Sequence, residues 1–180
     1  MVYNYNEIKD KYKSTYQIRK VLEDKEIYKV EKGIYSDKPG VHFLNVISKK
    51  YSYGVITSYS AYYYHNLTDV IPKKIYLATK RNATIINRDD IKQVRTKDEL
   101  YDLGKTQIDY EGVKINIYDK ERMLIELARN KSKIRYDVYK EIVANYRKIV
   151  DVLDTQKIEE YLGRFTNRNK LFEIIQDEVF

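Results

Sequence analysis

The spacing of apolar residues changes near residue 119, and this change limits the folds that the chain can adopt. Before it, short apolar runs and alternating segments predict strands with a few short helices between them. After it, apolar residues recur at helical spacing in four segments, residues 120–130, 136–147, 156–162 and 169–179. The sequence therefore predicts an α+β protein with a helical C-terminal half.

The amino-acid composition excludes several kinds of functional site. The 180 residues include no cysteine and two histidines. This excludes disulfide scaffolds, thiolate zinc sites and cysteine nucleophiles, and it leaves little room for a histidine-rich metal centre. No apolar run approaches the ~20 residues that span a bilayer, and the N-terminus lacks the basic start and apolar stretch of a signal peptide. We expect a cytoplasmic protein that binds no membrane, no metal and no cofactor.

Charge is distributed unevenly along the chain. The formal net charge is +7, yet residues 101–180 carry 15 basic and 15 acidic residues, so the surplus lies in the first hundred residues. Such asymmetry favours an anionic partner for the front of the molecule. The codon bias of an AT-rich genome, which also enriches lysine, is the alternative explanation.

The first forty residues predict a helix-turn-helix followed by a hairpin. The second helix begins at Ser14, which forms a capping-box pattern with Gln17. Gly33 supplies a positive φ for the hairpin turn. The predicted elements are helices over residues 5–12 and 15–25 and strands over residues 27–30 and 34–36. We therefore predict a winged helix-turn-helix domain over residues 1–40 and a mixed α/β domain over residues 41–180.

The second helix is the candidate DNA-reading element. A recognition helix uses its N-terminal turns to reach base edges, while flanking cations neutralise phosphates. Arg19 could pair with guanine and Gln17 with adenine. The candidate DNA-binding residues are Ser14, Thr15, Tyr16, Gln17, Arg19, Lys20, Lys29 and Lys32. A solvated helix face, with a hairpin that merely covers a small core, is the alternative.

A second basic cluster falls in the predicted α/β domain. Its members are Lys80, Arg81, Arg88, Lys92 and Arg95. They could extend a DNA footprint or contact another anionic partner. A solvated sheet edge, guarded by lysines against strand pairing, explains them equally well.

Three blocks of sequence, in order, resemble the AbiEi family of antitoxins. Residues 28–35, YKVEKGIY, resemble that family's wing. Residues 55–69, VITSYSAYYYHNLTD, with Ile-Pro at 71–72, resemble its strand, its helix with a Ser-Ala pair and the helix end before a proline. Residues 118–127, YDKERMLIEL, resemble the start of a later helix.

The resemblance implies two roles. The winged helix, here a short form, would bind operator DNA upstream of its own operon and repress it, and an inverted-repeat operator would favour a dimer or two bound monomers. The larger domain would counteract a nucleotidyltransferase toxin in a type IV toxin–antitoxin system, without a stable complex, in abortive infection against phage. The second basic cluster is then the candidate antitoxin surface.

Signatures of catalysis are sparse. The sequence has no glycine-rich phosphate loop, HExxH or nucleophile elbow. Asp89-Asp90 and Asp98-Glu99 could hold a divalent metal, so a nuclease is one alternative. A protein-interaction module that uses the winged helix for a partner is another. We expect no catalytic residues and no enzymatic activity.

One cation occupies an unfavourable position. Arg122 lies in the first turn of the helix that Asp119 caps, where the helix dipole opposes a positive charge. A buried ion pair with Glu121 or Glu126, or a ligand, would explain it.

Overall fold

A computed structural model describes all residues, 1–180, and contains nine α-helices and two sheets. The strands are β1 (Val2–Asn4), β2 (Tyr28–Glu31), β3 (Ile34–Ser36), β4 (Val55–Ile56), β5 (Ile75–Lys80), β6 (Ile91–Thr96), β7 (Lys105–Tyr110) and β8 (Val113–Tyr118). The helices are α1 (Tyr5–Tyr12), α2 (Thr15–Glu23), α3 (Phe43–Lys50), α4 (Ser58–Tyr64), α5 (Asp98–Tyr101), α6 (Lys120–Arg129), α7 (Tyr136–Lys148), α8 (Thr155–Leu162) and α9 (Arg168–Glu178). The predicted α+β class is confirmed. No helix is long and apolar enough to cross a bilayer.

The chain divides into two compact units. The first comprises residues 1–53 and 109–115, and the second comprises residues 54–108 and 116–180. This division differs from the predicted boundary after residue 40, because α3 packs against β1 and β3. Two lysines of α3 reinforce the packing, since Lys49 and Lys50 each lie 2.5 Å from a carboxylate oxygen, of Glu7 and Glu31 respectively.

The first unit contains a three-stranded antiparallel sheet in the order β1-β3-β2. The sequence did not predict β1, which ends at Asn4. Asn4 begins α1 with a full capping box, in which its side chain accepts from the Glu7 amide at 3.0 Å and its own amide donates to the Glu7 carboxylate at 2.8 Å. The capping box predicted at Ser14 forms only in part. Ser14 Oγ accepts from the Gln17 amide at 3.1 Å, whereas the Ser14 amide donates to the Tyr12 carbonyl at 2.6 Å.

A small apolar core holds α1 and α2 against this sheet. It consists of the buried residues Ile8, Ile18, Ile27 and Tyr35, with Tyr3, Tyr12, Val21 and Leu22 packed around them. Because this core takes only one stripe of α2, the opposite face of that helix faces solvent.

The second sheet has five strands in the order β6-β5-β4-β8-β7. Its central strand, β4, has two residues, both buried. It runs antiparallel to β5 and parallel to β8, and β5 runs parallel to β6. A strand at this central position is covered on both faces, and the apolar side chains of residues 55 and 56 suit such a position.

Helix α6 lies at the centre of the second unit, packed against α4, α8 and α9. All seven residues from Arg122 to Ala128 are buried. Two tyrosines fix its backbone: Tyr62 donates to the Met123 carbonyl at 3.2 Å and Tyr146 to the Lys120 carbonyl at 2.9 Å. Burial raises the pKa of both phenols well above the usual value. The four helices predicted after residue 119 are confirmed, and α5 was missed because it has a single turn.

Gly104 precedes β7 at a point of close approach to α6. Its φ is +73°, and a Cβ at this position would lie 2.5 Å from the Cβ of Arg122 and 2.9 Å from an Asp119 carboxylate oxygen. Its carbonyl also accepts from the Asp119 amide at 2.7 Å. Only glycine therefore fits here without displacing α6.

We expect Gly104→Ala to lower the free energy of unfolding by more than about 2 kcal/mol, because the left-handed conformation alone costs an alanine about 1–2 kcal/mol and the clash adds to it. Urea denaturation followed by circular dichroism measures the loss. Gly112→Ala is the matched control, since Gly112 has φ +78° and no atom within 4 Å of the added Cβ. Equal losses in the two variants would contradict the close-approach explanation.

Candidate nucleic-acid interface

The N-terminal half of α2 is solvated. Ser14, Thr15, Tyr16 and Gln17 are all exposed, and Tyr16 has 77% of its surface in contact with solvent. The hydrogen bond from the Gln17 amide to Ser14 occupies the hydroxyl but leaves the Gln17 side chain free of any hydrogen bond within the chain. These polar and aromatic groups are available to a ligand.

Arg19 and Lys20 follow on the same helix and are also exposed. Neither forms an ion pair with a carboxylate, and Ile18, which directly precedes them, is the buried anchor of the helix. The Ile18 side chain therefore anchors this part of the helix to the core, while the charges of Arg19 and Lys20 remain unneutralised.

The hairpin of β2 and β3 presents two more cations. Lys29 and Lys32 are exposed, and Gly33 closes the turn with φ +81°. The register between β2 and β3 shifts between Lys29 and Glu31, so Lys29 and Val30 are both exposed where a regular strand would alternate. Glu31 points to Lys50 of α3 at 2.5 Å. The one acidic residue in this turn is thus neutralised from outside the hairpin.

The preceding helix contributes a further cation. Lys11 Nζ lies 5.1 Å from the ring centroid of Tyr3 and 5.2 Å from that of Tyr12. Hydrogen bonding to Tyr12 raises the pKa of Lys11, so this exposed side chain stays protonated.

The five cations of the second cluster do not form one surface. Arg88 forms a two-pronged ion pair with Asp90, at 2.8 and 2.6 Å. Lys80 Nζ lies 5.6 Å from the ring centroid of Tyr101. Lys92 and Arg95 are three residues apart on β6, and side chains at odd spacing point to opposite faces of a sheet. Only Arg81 and Arg95 are brought together, at the wall of a pocket in the second unit.

Sequence reasoning missed four further basic residues of that pocket. Arg129, Lys131, Arg164 and Lys170 line it together with Arg81 and Arg95. They come from the C-terminal half, where acidic and basic residues are equal in number. The net charge of this segment is zero, so it did not indicate that these four cations lie close together in the folded chain.

Arg122 is almost completely buried, with 1% of its surface exposed. One Nη atom donates to Glu126 at 2.6 Å, which confirms one of the two predicted ion-pair partners, while Nε and the other Nη have no hydrogen bond. The guanidinium carbon lies 4.7 Å from the ring centroid of Phe165 and 5.3 Å from that of Tyr118. Aromatic faces stabilise a cation that lacks water. Burial nevertheless lowers the pKa of Arg122.

Two neighbouring groups complete this buried polar network. Asp119 caps α6, as predicted, by accepting from the Arg122 amide at 2.8 Å, and its other oxygen accepts from the Tyr161 hydroxyl at 2.9 Å. Burial raises the pKa of Asp119. His65 Nε2 donates to the Tyr118 carbonyl at 2.7 Å, and burial lowers the pKa of this imidazole. These groups stabilise the packing of α6 and form no open site.

The two acidic pairs that were candidates for a metal site are Asp89-Asp90 and Asp98-Glu99. Neither belongs to a larger group of metal-ligating side chains. Asp90 is engaged by Arg88, and Asp89, Asp98 and Glu99 are exposed. No group of three or more acidic or histidine side chains is placed to hold a metal ion.

Comparison with known proteins adds no relative. A scan against models of protein families finds no match, and a search of curated proteins finds no similar sequence.

We expect Glu126→Gln to lower the free energy of unfolding by roughly 3 kcal/mol, because it leaves the buried Arg122 cation without its counter-charge. Chemical denaturation measures the loss. Arg129→Gln is the control: Arg129 pairs with the same carboxylate at 2.6 Å, but its side chain is 47% exposed. Its loss should stay below about 1 kcal/mol, and a loss equal to that of Glu126→Gln would contradict the buried-charge explanation.

Proposed function

We propose that this protein is a DNA-binding transcriptional autorepressor and the antitoxin of a type IV toxin–antitoxin system, acting against a nucleotidyltransferase toxin. Its first unit serves as a short winged helix-turn-helix, with α2 as the recognition helix and the β2–β3 hairpin as the wing. The protein acts in the cytoplasm as a binding protein without catalysis of its own. The ordered resemblance of three sequence blocks to the AbiEi family underlies the proposal.

One observation carries the DNA-binding part. Arg19 and Lys20 on α2, and Lys29 and Lys32 on the hairpin, are exposed and form no ion pair. Duplex DNA attracts such cations because their binding releases counterions from the phosphates. The same unit also offers Gln17 and Tyr16 for contacts with bases or sugars.

Two acidic residues of the unit are consistent with this interpretation. Glu7 and Glu31 lie in α1 and β2, and each is paired at 2.5 Å with a lysine of α3. An anionic partner would be repelled by these carboxylates if they were free. Their neutralisation by α3 leaves the positive potential of α2 and the hairpin uncompensated at these positions.

We expect the wild-type protein to shift the DNA upstream of its own reading frame in preference to random DNA of equal length. Arg19→Ala should reduce that preference about tenfold, because one bidentate base contact contributes about 1–3 kcal/mol of discrimination. Lys29→Ala or Lys32→Ala should weaken binding to both DNAs equally and flatten the salt dependence. Electrophoretic mobility shift at several salt concentrations measures all three.

Lys38→Ala is the matched control, since Lys38 is exposed in the same unit but lies after β3, outside α2 and the hairpin. It should bind as the wild type does. Equal affinity of the wild-type protein for the upstream region and random DNA would remove the repressor function and leave the antitoxin function standing.

The antitoxin part is tested by co-expression with an adjoining nucleotidyltransferase reading frame. We expect the wild-type protein and Arg19→Ala to relieve the growth arrest equally, because the proposal assigns repression to the first unit and toxin neutralisation to the second. Affinity purification should recover no stable complex of the two proteins. An arrest that persists in the presence of the wild-type protein would contradict the antitoxin function.

A further inference from the structure

The second unit contains a pocket of about 830 Å³ that the proposed function does not use. It lies between the end of β6, the C-terminal turn of α6, the first turn of α7 and the start of α9. The volume falls in the range of pockets that hold small molecules and cofactors. Its lining contains seven cationic residues and one acidic residue, Glu99.

Three of these cations have acidic partners. Lys97 lies 3.5 Å from Glu99, Arg129 pairs with Glu126 at 2.6 Å, and Lys131 pairs with Glu178. Glu99 and Glu178 compensate the charges of Lys97 and Lys131, whereas Arg129 shares Glu126 with the buried Arg122.

The other four cations have no such compensation. Arg81, Arg95, Arg164 and Lys170 are exposed and form no ion pair with a carboxylate. Arg95 donates through one Nη to the carbonyl oxygens of Arg81 and Ala83, the latter at 3.2 Å, and these acceptors carry no formal charge. Four like charges around one cavity repel one another, and a polyanion in the cavity would relieve that repulsion.

The start of α9 adds neutral donors to the same wall. Thr166 and Asn167 line the pocket, and Asn167, the N-cap, forms no side-chain hydrogen bond to the helix. The first amides of this eleven-residue helix therefore lack an internal acceptor, and phosphate oxygens are suitable ligands for such amides.

The rest of the lining is apolar and aromatic. Val94, Leu100, Ile134, Leu171 and Ile174 line the pocket, and Tyr136 stands in it with 70% of its surface exposed. A solvated tyrosine ring next to an apolar wall suits a flat heterocycle, whereas an inorganic phosphate would leave most of the volume empty.

We propose that this pocket binds a free nucleoside triphosphate. Arg81, Arg95, Arg164 and Lys170 hold the phosphates, and the base packs on Tyr136. The inference uses the second unit only and does not depend on whether the protein binds DNA.

Isothermal titration calorimetry of the full-length protein at low ionic strength tests the proposal, with ATP, tripolyphosphate, adenosine and a short single-stranded RNA as separate titrants. We expect ATP to bind at least tenfold more tightly than adenosine, because the phosphates meet the cations. Arg164→Gln and Lys170→Gln should each weaken ATP binding about tenfold, and Arg164→Lys should retain most of it. Tyr136→Ala should weaken ATP binding several-fold and leave tripolyphosphate unaffected.

Lys92→Gln is the matched control, since Lys92 is an exposed cation on β6 but outside the pocket. Its affinity for ATP should equal that of the wild type, and thermal melts verify that every variant is folded. Absence of ATP binding, or an equal loss in Lys92→Gln and the pocket variants, would overturn the proposal. RNA that binds tenfold more tightly than ATP and loses affinity in Arg164→Gln would also overturn it, by assigning the pocket to a nucleic-acid strand.

Discussion

Burial of the Arg122 guanidinium governs how the second unit packs. A cation with 1% exposure needs a counter-charge and polarisable surroundings, and Glu126, Phe165 and Tyr118 supply them. The same side chain leaves space only for a glycine at position 104. The turn before β7, helix α6 and the segment before α9 are therefore fixed by one residue. Because Phe165 also lines the basic pocket, the shape of that pocket depends on the buried ion pair.

Local patterns predicted much of the fold. Helices α6 to α9 follow from the spacing of apolar residues within each segment, which the chain encodes without reference to distant partners. The strand β1 was missed because its three residues are too few to show an alternation of apolar and polar positions. The sequence did not assign α3 to the first unit, because α3 is amphipathic and an amphipathic helix does not indicate which neighbour it covers. The lysines that pair it with Glu7 and Glu31 are visible only in three dimensions.

Candidate sites could likewise be derived from the sequence only where a single element carries them. The exposed face of α2 could be derived from the sequence because one helix carries all of it, with Ile18 inward and Arg19 and Lys20 outward. The cluster from Lys80 to Arg95 could not, because its members are distributed over two strands and a loop. Strand alternation separates Lys92 from Arg95, and Asp90 engages Arg88. The pocket that gathers Arg81, Arg95, Arg164 and Lys170 joins two segments that are about seventy residues apart in sequence, so no pattern along the chain predicts it.

The first unit is discontinuous: it takes residues 1–53 and then residues 109–115, which are the tip of the β7–β8 hairpin. A single crossover between genes near codon 53 would transfer its helices but leave that hairpin tip with the recipient. Exchange of the first unit alone would thus require two matched crossovers, or a hairpin tip tolerant of foreign neighbours. The arrangement favours joint inheritance of the two units, so their sequences would tend to diverge as one lineage.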